Sequence, residues 1–380
     1  MEESHAINPF RYGGVVPAEA FCNRTQEVHD LTRACKNADR LFVYAERRMG
    51  KTSLVKQVLG RLPADQYVPV YIDLWPTDST TSFVITMAKA LTEAAATRRD
   101  RLLDTARNLF SRLQPSISVD ETGAPSLQFG LQMGQAPPPL LESVLATPPA
   151  ISQRLGRRVV IVFDEFQQIE AYEDRLVERV LRSAIQMQNE IAYLFLGSRK
   201  HLIEQMFADR NRPLYRSAGH YPLTSIALHH WTPFIEQRFG ATEKAITPAL
   251  IKALCTLTDG HPFYTQHLAH AVWERTPLGE AAQPRTLDEA LAILLRREGY
   301  AFATRWETLT RNQQRFLRGL AASPAGTPPF SSYFVQTYGL RTPSNAQRAA
   351  NSLLKLDLID REDGSYVISD RFFKLWIRAL

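Results

Sequence analysis

The chain has 380 residues, of which 44% are hydrophobic and 22% are charged, and its formal net charge is +6. This composition is ordinary for a folded soluble protein with enough apolar sequence for a core, and the length predicts two or three domains. The acidic N-terminus, three widely spaced cysteines and the lack of any run of about 20 apolar residues predict a cytoplasmic protein without membrane contact.

The first half of the chain alternates between short apolar runs and amphipathic segments. Helices are predicted at Arg24–Lys36, Ser82–Ala96 and Glu173–Gln188, and strands at Leu41–Tyr44, Tyr67–Leu74, Val159–Phe163 and Ile191–Leu196. Alternating residues within 114–139 predict an inserted hairpin, which Pro137-Pro-Pro139 would end with a stiff loop. Strands that are apolar throughout and alternate with helices predict an α/β fold with a parallel sheet covered on both faces.

The second half is predicted to be mostly helical. Helices are expected at Ala227–Phe239, Pro248–Leu257, Pro262–Glu274 and Thr286–Arg297. From Trp306 onward, three helices and a short hairpin around Glu362-Asp-Gly364 follow the winged-helix pattern. We therefore predict a core at residues 1–223, a helical lid at 224–298 and a winged-helix domain at 299–380.

The segment Ala45-Glu-Arg-Arg-Met-Gly-Lys-Thr52 joins a predicted strand to a predicted helix. A phosphate-binding loop needs Gly where a Cβ would clash, a Lys for the β- and γ-phosphates, and a hydroxyl for magnesium. Gly50, Lys51 and Thr52 supply these in order. The usual motif opens with Gly where this chain has Ala45, and the alternative interpretation is a surface turn that happens to contain Gly-Lys-Thr. The strand before the segment and the helix after it favour the phosphate-binding loop.

Asp164 and Glu165 follow the apolar run Val159–Phe163. Two acids at the end of a buried strand are costly unless a positive partner is present, and bound magnesium would be one. Asp164 is predicted to hold the metal, and Glu165 to orient or deprotonate the attacking water. The alternative interpretation is a solvated acid at a helix N-terminus.

The next strand, Ile191–Leu196, ends in Gly197-Ser-Arg-Lys200. A polar group at this place would lie near the γ-phosphate. Ser198 is the first candidate and Arg199 the second, although Arg199 could also form a surface salt bridge.

Taken together, these residues resemble the archaeal-type P-loop ATPases of the STAND and AAA+ group. The resemblance rests on Phe21-Cys-Asn-Arg24, Arg47-Arg-Met-Gly-Lys-Thr-Ser53, Asp164-Glu-Phe-Gln167, Pro213-Leu-Tyr-Arg216, Gly260-His-Pro262 and Asp370-Arg-Phe-Phe-Lys-Leu-Trp376. It implies a P-loop NTPase core, AAA+/STAND-like, that binds ATP and Mg²⁺.

The resemblance also implies roles for individual residues. The loop contacts to nucleotide would come from Ala45, Arg47, Arg48, Met49 and Ser53 besides Gly50, Lys51 and Thr52. Arg24 would lie near the adenine or ribose, and Gly260, His261 and Pro262 would begin a lid helix beside the nucleotide. Arg216 would be a sensor, or an arginine finger towards a neighbouring subunit, with Arg210 and Arg212 as competitors. Ala45 and Glu46 depart from the family's usual Gly-Pro.

Residues 299–380 contain eleven Lys or Arg against six Asp or Glu. A helix after Thr342-Pro343 would direct Arg348 and Lys355 outward, and Arg361 would lie beside the wing. These three cations are candidates for DNA phosphate contacts. The alternative is a winged helix that packs on its own ATPase domain or binds a protein.

The predicted function is magnesium-dependent ATP hydrolysis coupled to movement of the winged helix, with double-stranded DNA as a candidate partner. Two alternatives stay open: a nucleotide-gated DNA-binding regulator with slow or no hydrolysis, and a protein-interaction scaffold. A homo-oligomer or another protein partner is compatible with each.

Overall fold

A computed structural model describes residues 7–17, 20–96, 102–110, 113–119, 125–130, 137–173, 175–198, 206–324, 326–362 and 364–380. The chain divides into two compact units. The core unit comprises Thr25–Ala45 and Lys51–Leu223, and the C-terminal unit comprises Met1–Arg24, Glu46–Gly50 and Thr224–Leu380. The chain thus leaves the core unit for the five residues Glu46–Gly50 and returns to it at Lys51.

The core unit is an α/β structure. Its strands are β1 (Arg40–Tyr44), β2 (Tyr67–Asp73), β3 (Gln114–Val119), β4 (Pro125–Gly130), β5 (Arg158–Asp164), β6 (Ala192–Gly197) and β7 (Gly219–Pro222). Its helices are α1 (Thr25–Lys36), α2 (Lys51–Arg61), α3 (Thr80–Ala95), α4 (Leu102–Leu109), α5 (Pro137–Leu145), α6 (Thr147–Leu155) and α7 (Leu176–Met187), and a 3₁₀ helix covers Phe166–Ala171.

Five strands form one parallel sheet in the order β2-β5-β6-β1-β7, as the sequence predicted for the core. Strand β5 lies inside this sheet, and Val159–Phe163 are fully buried, which explains why the run is apolar at every position. Because all five strands are parallel, β1, β5 and β6 end at the same edge. The residues that follow them are therefore brought together there.

The insertion differs partly from the prediction. Strands β3 and β4 pair antiparallel as a separate two-stranded sheet. The prolines at 137–139, expected to form a stiff loop, instead begin α5. The first turn of a helix has no intrahelical partners for its N–H groups, so prolines fit there without losing hydrogen bonds.

The C-terminal unit is mainly helical. Its helices are α8 (Leu228–Gly240), α9 (Pro248–Thr258), α10 (Pro262–Arg275), α11 (Pro284–Glu307), α12 (Arg311–Ala322), α13 (Ser332–Thr337), α14 (Pro343–Lys355) and α15 (Arg371–Arg378). The strands β8 (Ile359–Glu362) and β9 (Ser365–Ile368) pair antiparallel as the wing after α14.

One hydrophobic core runs through the C-terminal unit, from Phe10 and Trp231 in the lid region to Phe316 and Phe373 in the winged helix. The predicted boundary between lid and winged helix, at 298/299, falls inside the continuous helix α11. The sequence has no proline at this point that would end the helix. Phe302 on the same helix is buried and its ring packs against that of Phe373. The two parts are therefore joined by shared packing rather than by a linker.

Candidate nucleotide-binding site

The loop after β1 has the local structure that phosphate binding requires. Gly50 has a φ of +87°, a conformation that L-residues rarely adopt, and Lys51 begins α2 directly after it. The Lys51 side chain is only 5% exposed, and its Nζ donates to the carbonyl oxygen of Ala45 at 3.1 Å. The ammonium group is thus held inside the curve of the loop, at the N-terminus of a helix, where an anion is favoured.

Thr52 and Asp164, which belong to two separate sequence motifs, meet where β5 ends. The Thr52 hydroxyl donates to Oδ2 of Asp164 at 2.6 Å, although the two residues are 112 positions apart. Asp164 is 3% exposed. A buried carboxylate beside a hydroxyl is a set of hard oxygen donors, which suits Mg²⁺.

Tyr71 is a member of this group that the sequence did not reveal. Its phenol donates to the same Oδ2 of Asp164 at 2.5 Å. Burial, and secondly the Asp164 carboxylate, raises the pKa of Tyr71, so the phenol stays protonated and continues to donate. In the sequence Tyr71 is one more apolar residue of β2, which explains why no pattern indicated its role.

Glu165 stands in a constrained position immediately after β5. Its φ of 51° lies in the left-handed region, which non-glycine residues seldom occupy. Its Oε2 accepts hydrogen bonds from the Ser198 hydroxyl at 2.9 Å and from the Gln167 amide. The same amide reaches Ser198 Oγ at 3.3 Å. The carboxylate is therefore oriented by two side chains, Gln167 in the 3₁₀ helix after β5 and Ser198 at the end of the neighbouring strand β6.

Gln167 is the second residue of this group that sequence reasoning missed as a site residue. It is the last residue of the motif Asp164-Glu-Phe-Gln167, is 6% exposed and contacts both Glu165 and Ser198. Of the two candidates after β6, Ser198 contacts Glu165 and Gln167. Arg199 lies outside the described residues.

The loop segment Glu46–Gly50 belongs to the C-terminal unit, and its arginines contact other residues of that unit. The guanidinium of Arg48 lies 4.4 Å from the ring centroid of Phe263, and Met49 is 2% exposed. Arg47 pairs with Asp357 at 3.1 Å, just beyond the end of α14. Ser53, on α2 in the core unit, is 4% exposed.

The Gly260-His261-Pro262 motif has a structural reason for each residue. Gly260 has a φ of +64°, and a Cβ there would lie 2.4 Å from the carbonyl oxygen of Ile226. Pro262 occupies the first turn of α10. His261 is fully buried and its Nε2 lies 3.1 Å from the carbonyl oxygen of Arg47. The motif is thus a helix start, and it also contacts the nucleotide loop.

Arg24 is 4% exposed, and its guanidinium donates to the carbonyl oxygen of Thr224 at 2.6 Å. Its expected place near the adenine or ribose stays a prediction.

Arg216 lies away from the other candidate site residues. It is exposed and lines a shallow pocket with Ala38, Asp39 and Arg40, where β1 begins. The phosphate loop follows the other end of β1, about 13 Å further along a five-residue strand. The structure therefore does not bring Arg216 together with the phosphate loop of the same chain, and its sensor role stays a prediction. A finger towards a neighbouring subunit stays a prediction.

Arg212, which competed for that role, is bound elsewhere. Its guanidinium is 7% exposed and pairs with Glu178 at 2.5 Å and with Glu170. An arginine that neutralises two carboxylates inside its own unit is fixed there by the cost of leaving them unpaired.

The three cations proposed for DNA are all exposed. Helix α14 buries Ala346, Ala349, Ala350 and Leu353. Arg348 and Lys355 lie on its solvent side, and Arg361 on β8 lies over the Tyr366 ring with its guanidinium carbon 4.9 Å from the centroid. Their exposure is compatible with phosphate contacts.

Comparisons with known proteins agree with this fold. A family model described as "ATPase domain predominantly from Archaea" matches residues 21–265, and one described as "Probable winged helix domain" matches residues 300–379. A search among curated proteins finds no match.

Among solved structures, a Walker-type ATPase of Pyrococcus abyssi is 18% identical with a TM-score of 0.66, and the match covers 97% of this chain and 99% of that one. The ORC2 protein of Aeropyrum pernix, solved in ADPNP–ADP complexes, is 13% identical with a TM-score of 0.54 over 99% and 98% of the two chains. At these identities the likeness supports the fold: a P-loop NTPase-like parallel sheet followed by a C-terminal winged helix. In the part of the chain that the structure describes, no helix has the length and apolarity to cross a membrane.

Proposed function

The chain belongs to the family of ATPase domains found predominantly in Archaea, and from this premise we propose that it binds ATP with magnesium and hydrolyses it to ADP and phosphate. The observation that carries the proposal is the meeting of Thr52 and Asp164 at 2.6 Å beside an oriented Glu165. A buried Asp followed by a part-buried Glu at the end of a strand, next to a phosphate-binding loop, suits phosphoryl transfer to water.

The oxygen donors fit Mg²⁺. No group of three or more His, Cys, Asp or Glu side chains suited to a metal occurs within the described ranges. A magnesium ion does not need such a group, because it keeps several waters and takes further oxygens from the phosphates. Thr52 and Asp164 would hold it, and Tyr71 fixes the direction of the Asp164 carboxylate. When bound, the ion would neutralise charge that develops on the phosphate oxygens.

The other residues of the core unit take the remaining roles. Lys51 binds the β- and γ-phosphates with its ammonium, and the N-terminus of α2 adds its positive dipole end. Glu165 accepts a hydrogen bond from the attacking water and positions it for in-line attack on the γ-phosphate. Ser198 and Gln167 keep the Glu165 carboxylate in one orientation.

The output proposed for the cycle is movement of the winged helix, with double-stranded DNA bound through Arg348, Lys355 and Arg361. A nucleotide-gated regulator with slow hydrolysis is the second candidate, because Glu46 places a carboxylate inside the nucleotide loop. That the chain is a STAND-like P-loop ATPase is also part of this proposal.

The test is phosphate release from ATP by the wild type, Glu165→Gln and Glu173→Gln, with and without Mg²⁺ and with and without double-stranded DNA. Glu173 is an exposed acid beyond the 3₁₀ helix, so Glu173→Gln makes the same chemical change outside the site. We expect magnesium-dependent turnover in the wild type and in Glu173→Gln. Glu165→Gln should bind ATP with turnover reduced about 10²–10⁴-fold. ATP binding without turnover in the wild type would favour the regulator, and no ATP binding would overturn the proposal.

A further inference from the structure

A buried ion pair joins the nucleotide loop to the last helix of the chain. Oε2 of Glu46 lies 3.0 Å from a terminal guanidinium nitrogen of Arg371, and the side chains are 6% and 2% exposed. The two residues are 325 positions apart, and both belong to the C-terminal unit. Glu46 is the second residue of the predicted phosphate-binding loop, where a negative charge is unexpected.

The charge of Glu46 conflicts with the ligand proposed for this loop. ATP carries several negative charges on its phosphates, and like charges repel strongly where water is excluded. A carboxylate buried in the same loop therefore opposes nucleotide binding unless a cation neutralises it. Arg371 is such a cation, and its guanidinium is always charged.

Arg371 is itself held in a fixed position. One terminal nitrogen donates to the carbonyl oxygen of Ile368 at 2.7 Å, and Nε lies 3.1 Å from Oδ2 of Asp259. Asp259 immediately precedes the Gly260-His261-Pro262 motif and also pairs with Lys374 at 3.2 Å. The guanidinium thus connects the wing, the lid turn and the nucleotide loop.

Two further contacts hold the same loop segment. Arg47 pairs with Asp357, between α14 and the wing, and its carbonyl oxygen lies 3.1 Å from Nε2 of the buried His261. The backbone of Glu46 and Arg47 is therefore fixed by side chains of the lid and the winged helix.

We propose that Arg371 is a positioning residue for the nucleotide loop: it neutralises Glu46 and fixes the Glu46–Arg47 backbone, so that the loop accepts a nucleoside triphosphate only while the winged helix is docked on it. This inference rests on the proposed function, because it concerns ATP binding by the same loop. Through Glu46, docking of the winged helix would then change the affinity of the loop for the nucleotide, and nucleotide binding would change the docking of the winged helix.

The test is a double-mutant cycle read out as affinity for a fluorescent ATP analogue in the presence of Mg²⁺. The variants of the full chain are Arg371→Gln, Glu46→Gln and the double variant. Lys374→Gln is the matched control, because it removes another cation that pairs with Asp259 from the same helix and leaves Glu46–Arg371 intact. Thermal unfolding of each variant accompanies the titrations.

We expect Arg371→Gln to weaken binding about tenfold or more, because it removes the guanidinium that pairs with the buried Glu46 carboxylate. Glu46→Gln should bind at least as tightly as the wild type, and the double variant should return to within about threefold of Glu46→Gln. Lys374→Gln should leave the affinity unchanged. Wild-type affinity in Arg371→Gln, or a double variant as weak as Arg371→Gln, would overturn the inference. If the wild type itself binds no ATP, it is the proposed function that fails.

A second measurement needs no substitution and covers the case in which Arg371→Gln does not fold. Amide hydrogen exchange of the wild type is followed with and without Mg-ATP. Exchange in residues 371–378 should become slower when ATP binds, because the bound loop fixes Glu46 and thereby Arg371. Unchanged exchange in this helix, while α2 is protected, would contradict the coupling.

Discussion

The hydroxyl of Ser198 donates to Oε2 of Glu165 at 2.9 Å, across the ends of two neighbouring strands. Glu165 is the residue proposed to position the attacking water, and its backbone is in the left-handed region. Its carboxylate therefore depends on neighbours for its orientation, and Ser198 and Gln167 provide it.

Removal of this hydrogen bond should affect turnover more than binding. We expect Ser198→Ala to lower kcat for ATP hydrolysis about tenfold or more, because the carboxylate loses one of two orienting donors. ATP affinity should stay within about twofold, since Lys51 and Thr52 are untouched. Steady-state kinetics and nucleotide titration measure both. Ser183→Ala on α7 serves as the control, because the Ser183 hydroxyl donates to the carbonyl oxygen of Arg179 in its own helix. Equal losses in kcat and in affinity would argue against an orienting role.

Gly260 should tolerate no other residue. A Cβ at this position would lie 2.4 Å from the carbonyl oxygen of Ile226, on top of the strain of a φ of +64°. We expect Gly260→Ala to lower the free energy of unfolding by about 2–4 kcal/mol. Gly279→Ala is the control, because its φ is +76° and nothing lies within 4 Å of a Cβ there; it should cost about 1–2 kcal/mol. Denaturant unfolding followed by tryptophan fluorescence gives both values. Equal losses of unfolding free energy in the two variants would mean that the backbone at Ile226 moves away from the new Cβ at no cost.

DNA binding through the winged helix should show a defined salt dependence. Each lost phosphate contact should make the slope of log K against log salt less steep by about 0.9. We therefore expect substitution of Arg348, Lys355 and Arg361 by Gln to flatten the slope for double-stranded DNA. The control replaces three exposed cations of α9 and α11, Lys252, Arg285 and Arg296, by Gln. An identical slope in the two triple variants would place the DNA site elsewhere, and no binding at low salt would favour a protein partner.

His267 on α10 should make the protein sensitive to acid. Burial, followed by the positive charges of His270, Arg48 and Arg297, lowers the pKa of His267 from 6.5 to about 4. The unfolded chain therefore binds a proton at a higher pH than the folded one. Stability contributed by the neutral imidazole is present above pH 6.5 and is lost as the pH falls towards about 4.

When the pH is lowered from 6.5 to about 4, we expect the free energy of unfolding to fall less in His267→Gln than in the wild type. Thermal unfolding at a series of pH values measures this difference. His29→Gln is the control, because the His29 side chain is 67% exposed. Parallel pH profiles for His267→Gln and the wild type would contradict the assignment.

The parallel sheet and its central strand could be predicted because their signal is local. The run of five apolar residues Val159–Phe163 is typical of a strand buried on both faces, and it ends in Asp164 and Glu165. The loop at Gly50-Lys51-Thr52 was equally visible, because backbone geometry and phosphate chemistry fix the residue types over a short stretch. Strand β7 gave no such signal, since its residues are mostly exposed and do not alternate.

The sequence by itself thus determined the α/β core, the motif residues Lys51, Thr52, Asp164 and Glu165, and the order of the parts along the chain. Only the tertiary structure decided that Tyr71 and Gln167 hold the two acids, that Arg216 lies at the opposite end of β1, and that Glu46 pairs with Arg371. The physical reason is that a sequence motif reflects only the local structure and chemistry of residues that are close together in the sequence. A buried ion pair between residues 325 positions apart exists only because packing brings them together, and neither residue shows this in its own sequence context.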